Sequence, residues 1–194
     1  YDRATKFALL KNVDGKYFTL DEYKDQVKDA QTDKDEKVIY LYSNDQSEQY
    51  SYIQAAKDRG YDVLDLDGVL DNHFVNSLEQ KLSDIQFKRV DADTAEKLID
   101  KDEKLPSKLD EKQQEELKPI IEKNIDKTKF NVVFESLSET EAPFMITQSE
   151  FMRRMKDMSE MGGGAAFYGN MPDSYNLIVN SDHALVSKIL EKTD

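Results

Sequence analysis

The sequence contains no cysteine, and this absence excludes disulfide bonds and thiolate chemistry. It also has no apolar run near the ~20 residues of a membrane-spanning helix, and its first residues do not resemble a signal peptide. Basic residues are few, because 27 Lys and Arg stand against 40 Asp and Glu, for a net charge of −13. Phosphate groups are bound by clustered Lys and Arg, so neither nucleic acid nor a membrane surface is an expected partner.

The motifs of common catalytic, cofactor and metal sites are missing as well. His73 and His183 stand alone, without the carboxylate spacing of a metal site or an acid–base pair. The glycines at 162–164 follow a predicted helix rather than a strand and lack the Gly-Lys-Ser/Thr of a phosphate-binding loop. An acidic cluster does not fit a calcium loop, because Val63 stands where the first Asp belongs. We interpret its members as exposed carboxylates at a strand end: Asp62, Asp65, Asp67 and Asp71.

Apolar periodicity over residues 1–92 predicts a small parallel α/β unit. Thr19 and Glu22 have the spacing of a capping box that begins a helix ending near Lys28. Strands and helices then alternate, with strands predicted over 37–43, 61–67 and 87–90 and helices over 47–59 and 71–82. This β-α-β-α-β order predicts a parallel sheet with right-handed crossovers.

A highly charged stretch follows the first unit. Residues 91–118 include 16 charged side chains among 28, and no aromatic residue occurs between Lys88 and Lys129. Because such a stretch buries little apolar surface, we predict a charged linker over 93–110.

The second domain is predicted over residues 111–194 and has an α+β pattern. An amphipathic helix spans about 110–126, and two apolar runs at 131–137 and 142–147 are typical of a β-hairpin. A third strand is predicted over 175–180, and a last helix over 182–192. The fold class is therefore α/β followed by α+β, with a three-stranded sheet and amphipathic helices in the second domain.

All six methionines lie between residues 145 and 171, and four of them are spaced three apart. Thr147 and Glu150 have the spacing of a second capping box before them, and Gly162 is placed to end the helix. Because successive residues of a helix are turned by about 100°, five apolar side chains fall on one face of the predicted helix, two of them at its edges. The set is Phe151, Met155 and Met158, flanked by Met152 and Met161.

The opposite face of this helix is predicted to be charged, with ion pairs Arg153–Asp157 and Lys156–Glu160. Because methionine is flexible and polarizable, the apolar face has the chemistry of a surface that adapts to varied partners. Packing over the hairpin as a core face is the alternative. The glycine-rich loop after the helix carries three further apolar residues, Phe167, Tyr168 and Met171.

Several stretches, taken in order, resemble the 90-kilodalton heat-shock chaperone family in its bacterial, HtpG-type form. Residues 19–23 and 38–42 (Thr-Leu-Asp-Glu-Tyr and Val-Ile-Tyr-Leu-Tyr) are similar to that family's short helix and "IYYIT"-like strand. Residues 60–71 are similar to "KGIEVLLLSDRIDE". The Phe-Met-Ile-Thr run at 144–147, the methionine helix and residues 180–186 resemble its C-terminal domain. Ser181 departs from the proline of the usual Asn-Pro-Asp-His motif.

This resemblance implies an ATP-dependent chaperone, of which residues 1–92 form the end of the middle domain and 111–194 most of the C-terminal domain. The family's ATP and magnesium site and its hydrolysis-assisting arginine are expected upstream of residue 1, so no cofactor and no ATPase activity are expected here. Its homodimer depends on helices beyond Asp194, which makes self-association of this segment doubtful. A cytoplasmic location is also implied.

The resemblance further implies a site for non-native client proteins. The matching positions are Phe151, Met152, Met155, Met158, Met161, Phe167, Tyr168 and Met171. The segment is also expected to couple the middle domain to the C-terminal domain. The alternative function is an interaction module of fixed specificity, without chaperone activity of its own.

Overall fold

The computed structural model describes residues 8–68, 71–101, 107–154 and 174–192. The chain forms two compact units, Tyr1–Asp102 and Glu103–Asp194. The first has a parallel three-stranded sheet and the second a mixed one, so the predicted fold class is confirmed. No helix in the described ranges is both long and apolar enough to cross a bilayer.

The first unit alternates strands with helices. Its elements are β1 (Leu10–Lys11), β2 (Tyr17–Phe18), α1 (Leu20–Gln31), β3 (Val38–Ser43), α2 (Tyr50–Asp58), β4 (Val63–Asp65), α3 (Asp71–Lys81), β5 (Ile85–Arg89) and α4 (Ala95–Leu98). Strand β3 lies in the centre, with β4 and β5 parallel to it on either side. All six residues of β3 are buried, as expected for a central strand with both faces covered.

Helix α1 begins at the capping box that the sequence predicts. The Glu22 amide donates to the Thr19 hydroxyl oxygen at 3.3 Å, and the Thr19 amide donates to the Glu22 carboxylate at 2.8 Å. Its buried face places the ring of Tyr23 edge-on to Tyr40 of β3, with 4.8 Å between ring centroids. Phe87 of β5 continues this aromatic layer at 5.2 Å from Tyr40.

Two parts of the first unit differ from the sequence-based prediction. Strands β1 and β2 form a short antiparallel ribbon, which joins β4 through the Val13 amide and the Val63 carbonyl at 2.9 Å. The segment predicted as a charged linker over 93–110 contains α4, and Leu98 and Ile99 pack into the core beside α2. These few apolar residues are enough to attach the start of the segment to the first unit, despite its many charges.

The second unit contains α5 (Glu111–Glu122), β6 (Phe130–Glu135), β7 (Phe144–Thr147), β8 (Tyr175–Asn180) and a last helix, α6 (Ala184–Glu191). A further helical segment starts at residue 150 and is described as far as 154. The predicted β-hairpin of residues 131–137 and 142–147 is wrong. Strand β8 lies between β6 and β7, parallel to the first and antiparallel to the second.

The packing of the second unit explains this strand order. Strand β8 ends in the buried residues Ile178, Val179 and Asn180, so the last strand in the chain occupies the protected centre. Eight residues, 136–143, connect β6 to β7, enough to span two strand spacings of about 4.8 Å each. Helices α5 and α6 place Leu117 and Val186 against Val179 in one core.

Candidate interaction surface

Ser149 is the N-cap of the helical segment that starts at residue 150. The Met152 amide donates to the Ser149 hydroxyl oxygen at 3.3 Å, and the Arg153 amide donates to the Ser149 carbonyl at 3.0 Å. The predicted capping box of Thr147 and Glu150 is therefore wrong. Thr147 is instead the last residue of β7, paired with β8, and its position is fixed by the strand rather than by the helix.

The first turn of this helix exposes an aromatic ring and buries a charged side chain. Phe151 is 70% exposed, whereas Arg153 is only 5% exposed. Two residues along a helix are about 200° apart, so these side chains lie on opposite faces, as the sequence predicts. Of the charged face, Arg153 is thus buried. Met152, between them, is partly buried.

One carboxylate is shared by two arginines in this turn. Glu150 Oε1 accepts from Arg153 Nη2 at 2.5 Å and from Arg154 Nε at 2.7 Å. Burial is the largest single influence on the Glu150 carboxyl and raises its pKa. The hydrogen bonds and charges of Arg153 and Arg154 together outweigh burial and hold that pKa below its usual value. Glu150 is therefore ionised at neutral pH, although its side chain is only 15% exposed.

Most of the predicted client-binding residues lie outside the described residues. This applies to Met155, Met158, Met161, Phe167, Tyr168 and Met171. It applies also to the charged residues Lys156, Asp157 and Glu160 and to the glycines at 162–164. Their roles remain predictions from spacing and resemblance, and the described part of the surface consists of Phe151 and Met152.

A second polar site surrounds the turn between β8 and α6, which contains the family-like motif. The Asp182 carboxylate accepts from the Lys108 amide at 2.8 Å and from the Ser136 hydroxyl at 2.6 Å. Ser181 is fully buried, where it accepts from the Ser107 hydroxyl and donates to the Glu135 carbonyl, both at 2.9 Å. The motif thus holds the chain just before α5 against the end of β6. We call this set of contacts the entry anchor.

Sequence reasoning missed the entry anchor, although it singled out the motif that forms it. Ser181 was noted only as a departure from proline, yet its hydroxyl supplies two hydrogen bonds that proline lacks. His183 is the N-cap of α6, because its Nδ1 accepts from the Leu185 amide at 3.0 Å. The signal available in the sequence was the run of short polar residues directly before a helix.

Two members of the acidic cluster around β4, Asp62 and Asp65, are less exposed than predicted, whereas Asp67 is exposed. Asp62 accepts from Asn12 Nδ2 at 3.0 Å and from the Tyr23 hydroxyl at 3.4 Å. Burial raises the pKa of the Asp62 carboxyl, and these hydrogen bonds counteract only part of the rise. Asp65 is 5% exposed and forms an ion pair with Lys11 at 2.8 Å. These carboxylates attach the β1–β2 ribbon, and the described residues contain no group of acidic or histidine side chains suited to a metal ion.

Both units resemble known chaperones in sequence. The family model described as Hsp90 protein matches residues 5–194. Chaperone protein htpG of Bacteroides fragilis (strain YCH46) is 49% identical over 193 residues, which are 98% of this chain and 28% of that protein. Chaperone protein HtpG of Porphyromonas gingivalis (strain ATCC 33277) is 48% identical, with the same two coverages. HtpG of Bacteroides thetaiotaomicron is 46% identical over 197 residues, covering 100% of this chain and 29% of that protein.

These matches define the chain as a segment of a heat-shock chaperone. The chain belongs to the Hsp90 family and is of the bacterial HtpG type, which confirms the resemblance seen in the sequence. It spans a little over a quarter of the length of these relatives.

Proposed function

We propose that this segment binds non-native client proteins through the helix that begins at residue 150. The observation that carries the proposal is the 70% exposure of Phe151 on a turn whose opposite face is buried. A large aromatic ring left in water beside the methionine-rich sequence has the chemistry of an apolar contact site. By helical spacing, Met155 and Met158 are predicted to extend the face of Phe151.

We propose further that ATP hydrolysis requires parts of the relatives' chain outside this segment. Isolated residues 1–194 are expected to show no ATP turnover and to bind neither ATP nor magnesium. Self-association and a cytoplasmic location, both implied by the family resemblance, remain proposals. Sedimentation of this segment beside a longer chain that continues past Asp194 tests the first of these.

Replacing Phe151 by serine is expected to weaken client binding about tenfold or more, because burying a Phe side chain contributes roughly 1.5–3 kcal/mol. The measurement is titration of a permanently unfolded, labelled protein, with circular dichroism as a check on the fold. The triple replacement of Met155, Met158 and Met161 by serine is expected to act in the same direction. Tyr50→Ser is the matched control, because Tyr50 is 63% exposed but lies on α2 of the first unit.

Two results would contradict the proposal. One is unchanged binding by a folded Phe151→Ser protein. The other is binding to a single folded partner that unrelated unfolded chains do not compete away, which supports instead an interaction module of fixed specificity.

We also propose that the entry anchor couples the two domains, because it fixes the point at which the chain enters the second unit. Asp182→Ala removes the acceptor of the Lys108 amide and the Ser136 hydroxyl. Hydrogen bonds to a charged group contribute about 1.5–3 kcal/mol each, so faster hydrogen exchange is expected at the Lys108 amide. The control is Glu139→Ala, since Glu139 is an exposed partner of the Lys108 ammonium group. Equal exchange rates in the two variants would refute the anchor.

A further inference from the structure

We propose that Glu150 is a positioning residue whose bonds to Arg153 and Arg154 keep Phe151 turned toward solvent. The inference rests on the proposed function for its purpose, since a displayed ring is useful only if a partner binds it. The partner expected at this position is an apolar stretch of unfolded polypeptide. The orientation of the ring is nevertheless a physical property that is measurable without any partner.

Phe151 is exposed and Arg153 is buried, which is the opposite of what side-chain hydrophobicity alone favours. Burying a Phe ring stabilises a fold by roughly 1.5–3 kcal/mol, whereas burying a guanidinium group is costly unless an anion compensates it. Because Phe151 and Arg153 lie about 200° apart, this turn cannot bury both side chains on one face. A specific interaction must therefore favour the inward position of Arg153 over that of Phe151.

The Glu150 carboxylate supplies that interaction. Its side chain is 15% exposed and that of Arg153 is 6% exposed, so the ion pair is shielded from water. Arg153 Nη2 lies 2.5 Å from Glu150 Oε1, and Arg153 Nε lies 3.4 Å from Oε2, so both carboxylate oxygens are engaged. Arg154 adds a third bond to the same group at 2.7 Å. Removing the Glu150 charge takes these three bonds away from Arg153 and Arg154, and rotation of the turn then becomes favourable.

Tryptophan fluorescence measures the orientation directly. The chain contains no tryptophan, so Phe151→Trp introduces a single reporter at the position in question. With Glu150 intact, emission at the long wavelength of an exposed indole and strong quenching by acrylamide are expected. Adding Glu150→Gln is expected to shift the emission to shorter wavelength and to remove most of the quenching. Glu115→Gln is the matched control, because Glu115 is an exposed glutamate on α5.

A second variant keeps the test decisive if Glu150→Gln alone disturbs folding. Glu150→Gln combined with Arg153→Gln removes both charges of the ion pair, so the inward position no longer holds the Arg153 charge. The same emission shift is expected, with the circular dichroism spectrum unchanged. Unshifted emission in this folded double variant would overturn the inference.

Client titration separates this inference from the function on which it rests. If both hold, the Glu150 variants lose client affinity by a factor comparable to that of Phe151→Ser. If emission shifts but Phe151→Ser still binds clients fully, the positioning role stands and the proposed client site fails. If emission does not shift while Phe151→Ser loses binding, the client site stands and the role of Glu150 is refuted.

Discussion

Replacing Phe87 by alanine is expected to lower the free energy of unfolding of the first unit by about 3–5 kcal/mol. Phe87 is completely buried in β5, and its ring packs edge-on against Tyr40 and Tyr42 of the central strand. Truncation to alanine removes the buried apolar area of the ring and its contacts with the two tyrosines, and it leaves a cavity where the ring was. The surrounding strands are paired on both sides of β3 and cannot readily close such a cavity.

Differential scanning calorimetry tests this prediction, and hydrogen exchange assigns the affected residues. Only the amides of the first unit are expected to lose protection, because the second unit has a separate core around Val179. Tyr17→Ala is the matched control, since Tyr17 is an aromatic residue of the same unit that is 63% exposed. An equal loss of protection in both units would mean that they unfold as one, and a loss like that of Tyr17→Ala would contradict the packing argument.

The elements predicted correctly are those whose signals are local. The capping box of Thr19 and Glu22 needs only four consecutive residues, and the structure shows both of its hydrogen bonds. The apolar run of β3 contains no polar alternation, which indicated burial on both faces before any partner strand was known. The alternation of strands with helices then determines parallel pairing, because a crossover helix returns each strand in the same direction.

The elements predicted wrongly depend on contacts that are distant in sequence. Residues 131–137 and 142–147 are close enough for a hairpin, yet β8 separates them because its own side chains require the buried centre. Composition also misled at Leu98 and Ile99, where two buried side chains outweigh the charges around them. A helical wheel shows that Phe151 and Arg153 lie on opposite faces, but not which face turns inward. That choice depends on the bonds of Glu150 to the two arginines, and the spacing of apolar residues in the sequence does not indicate these bonds.

Removing Arg153 is expected to destabilise the second unit through electrostatics. Loss of one member of a buried ion pair destabilises a fold by about 3–5 kcal/mol, because the remaining charge is left without compensation. Arg153→Ala leaves the Glu150 carboxylate mostly shielded from water, with Arg154 still bonded at 2.7 Å, so a value toward the lower end of that range is expected. Urea unfolding at neutral pH, followed by the circular dichroism of the second unit, measures the loss.

The dependence of this loss on pH distinguishes the ion pair from simple packing. In the unaltered protein the pKa of Glu150 is lowered, so its stabilising contribution is full above the ordinary carboxyl pKa and is lost as the pH falls through the folded pKa. In Arg153→Ala the main cause of that lowering is gone, while burial still raises the pKa. Protonation of Glu150 then removes the poorly compensated charge from the variant. The difference in free energy of unfolding between the variant and the unaltered protein is therefore expected to shrink as the pH falls. Arg154→Ala, which removes the more exposed arginine, is expected to show the same trend with a smaller loss of stability.

A loss of stability for Arg153→Ala that stays constant from neutral to acid pH would assign the effect to packing of the arginine stem rather than to its charge.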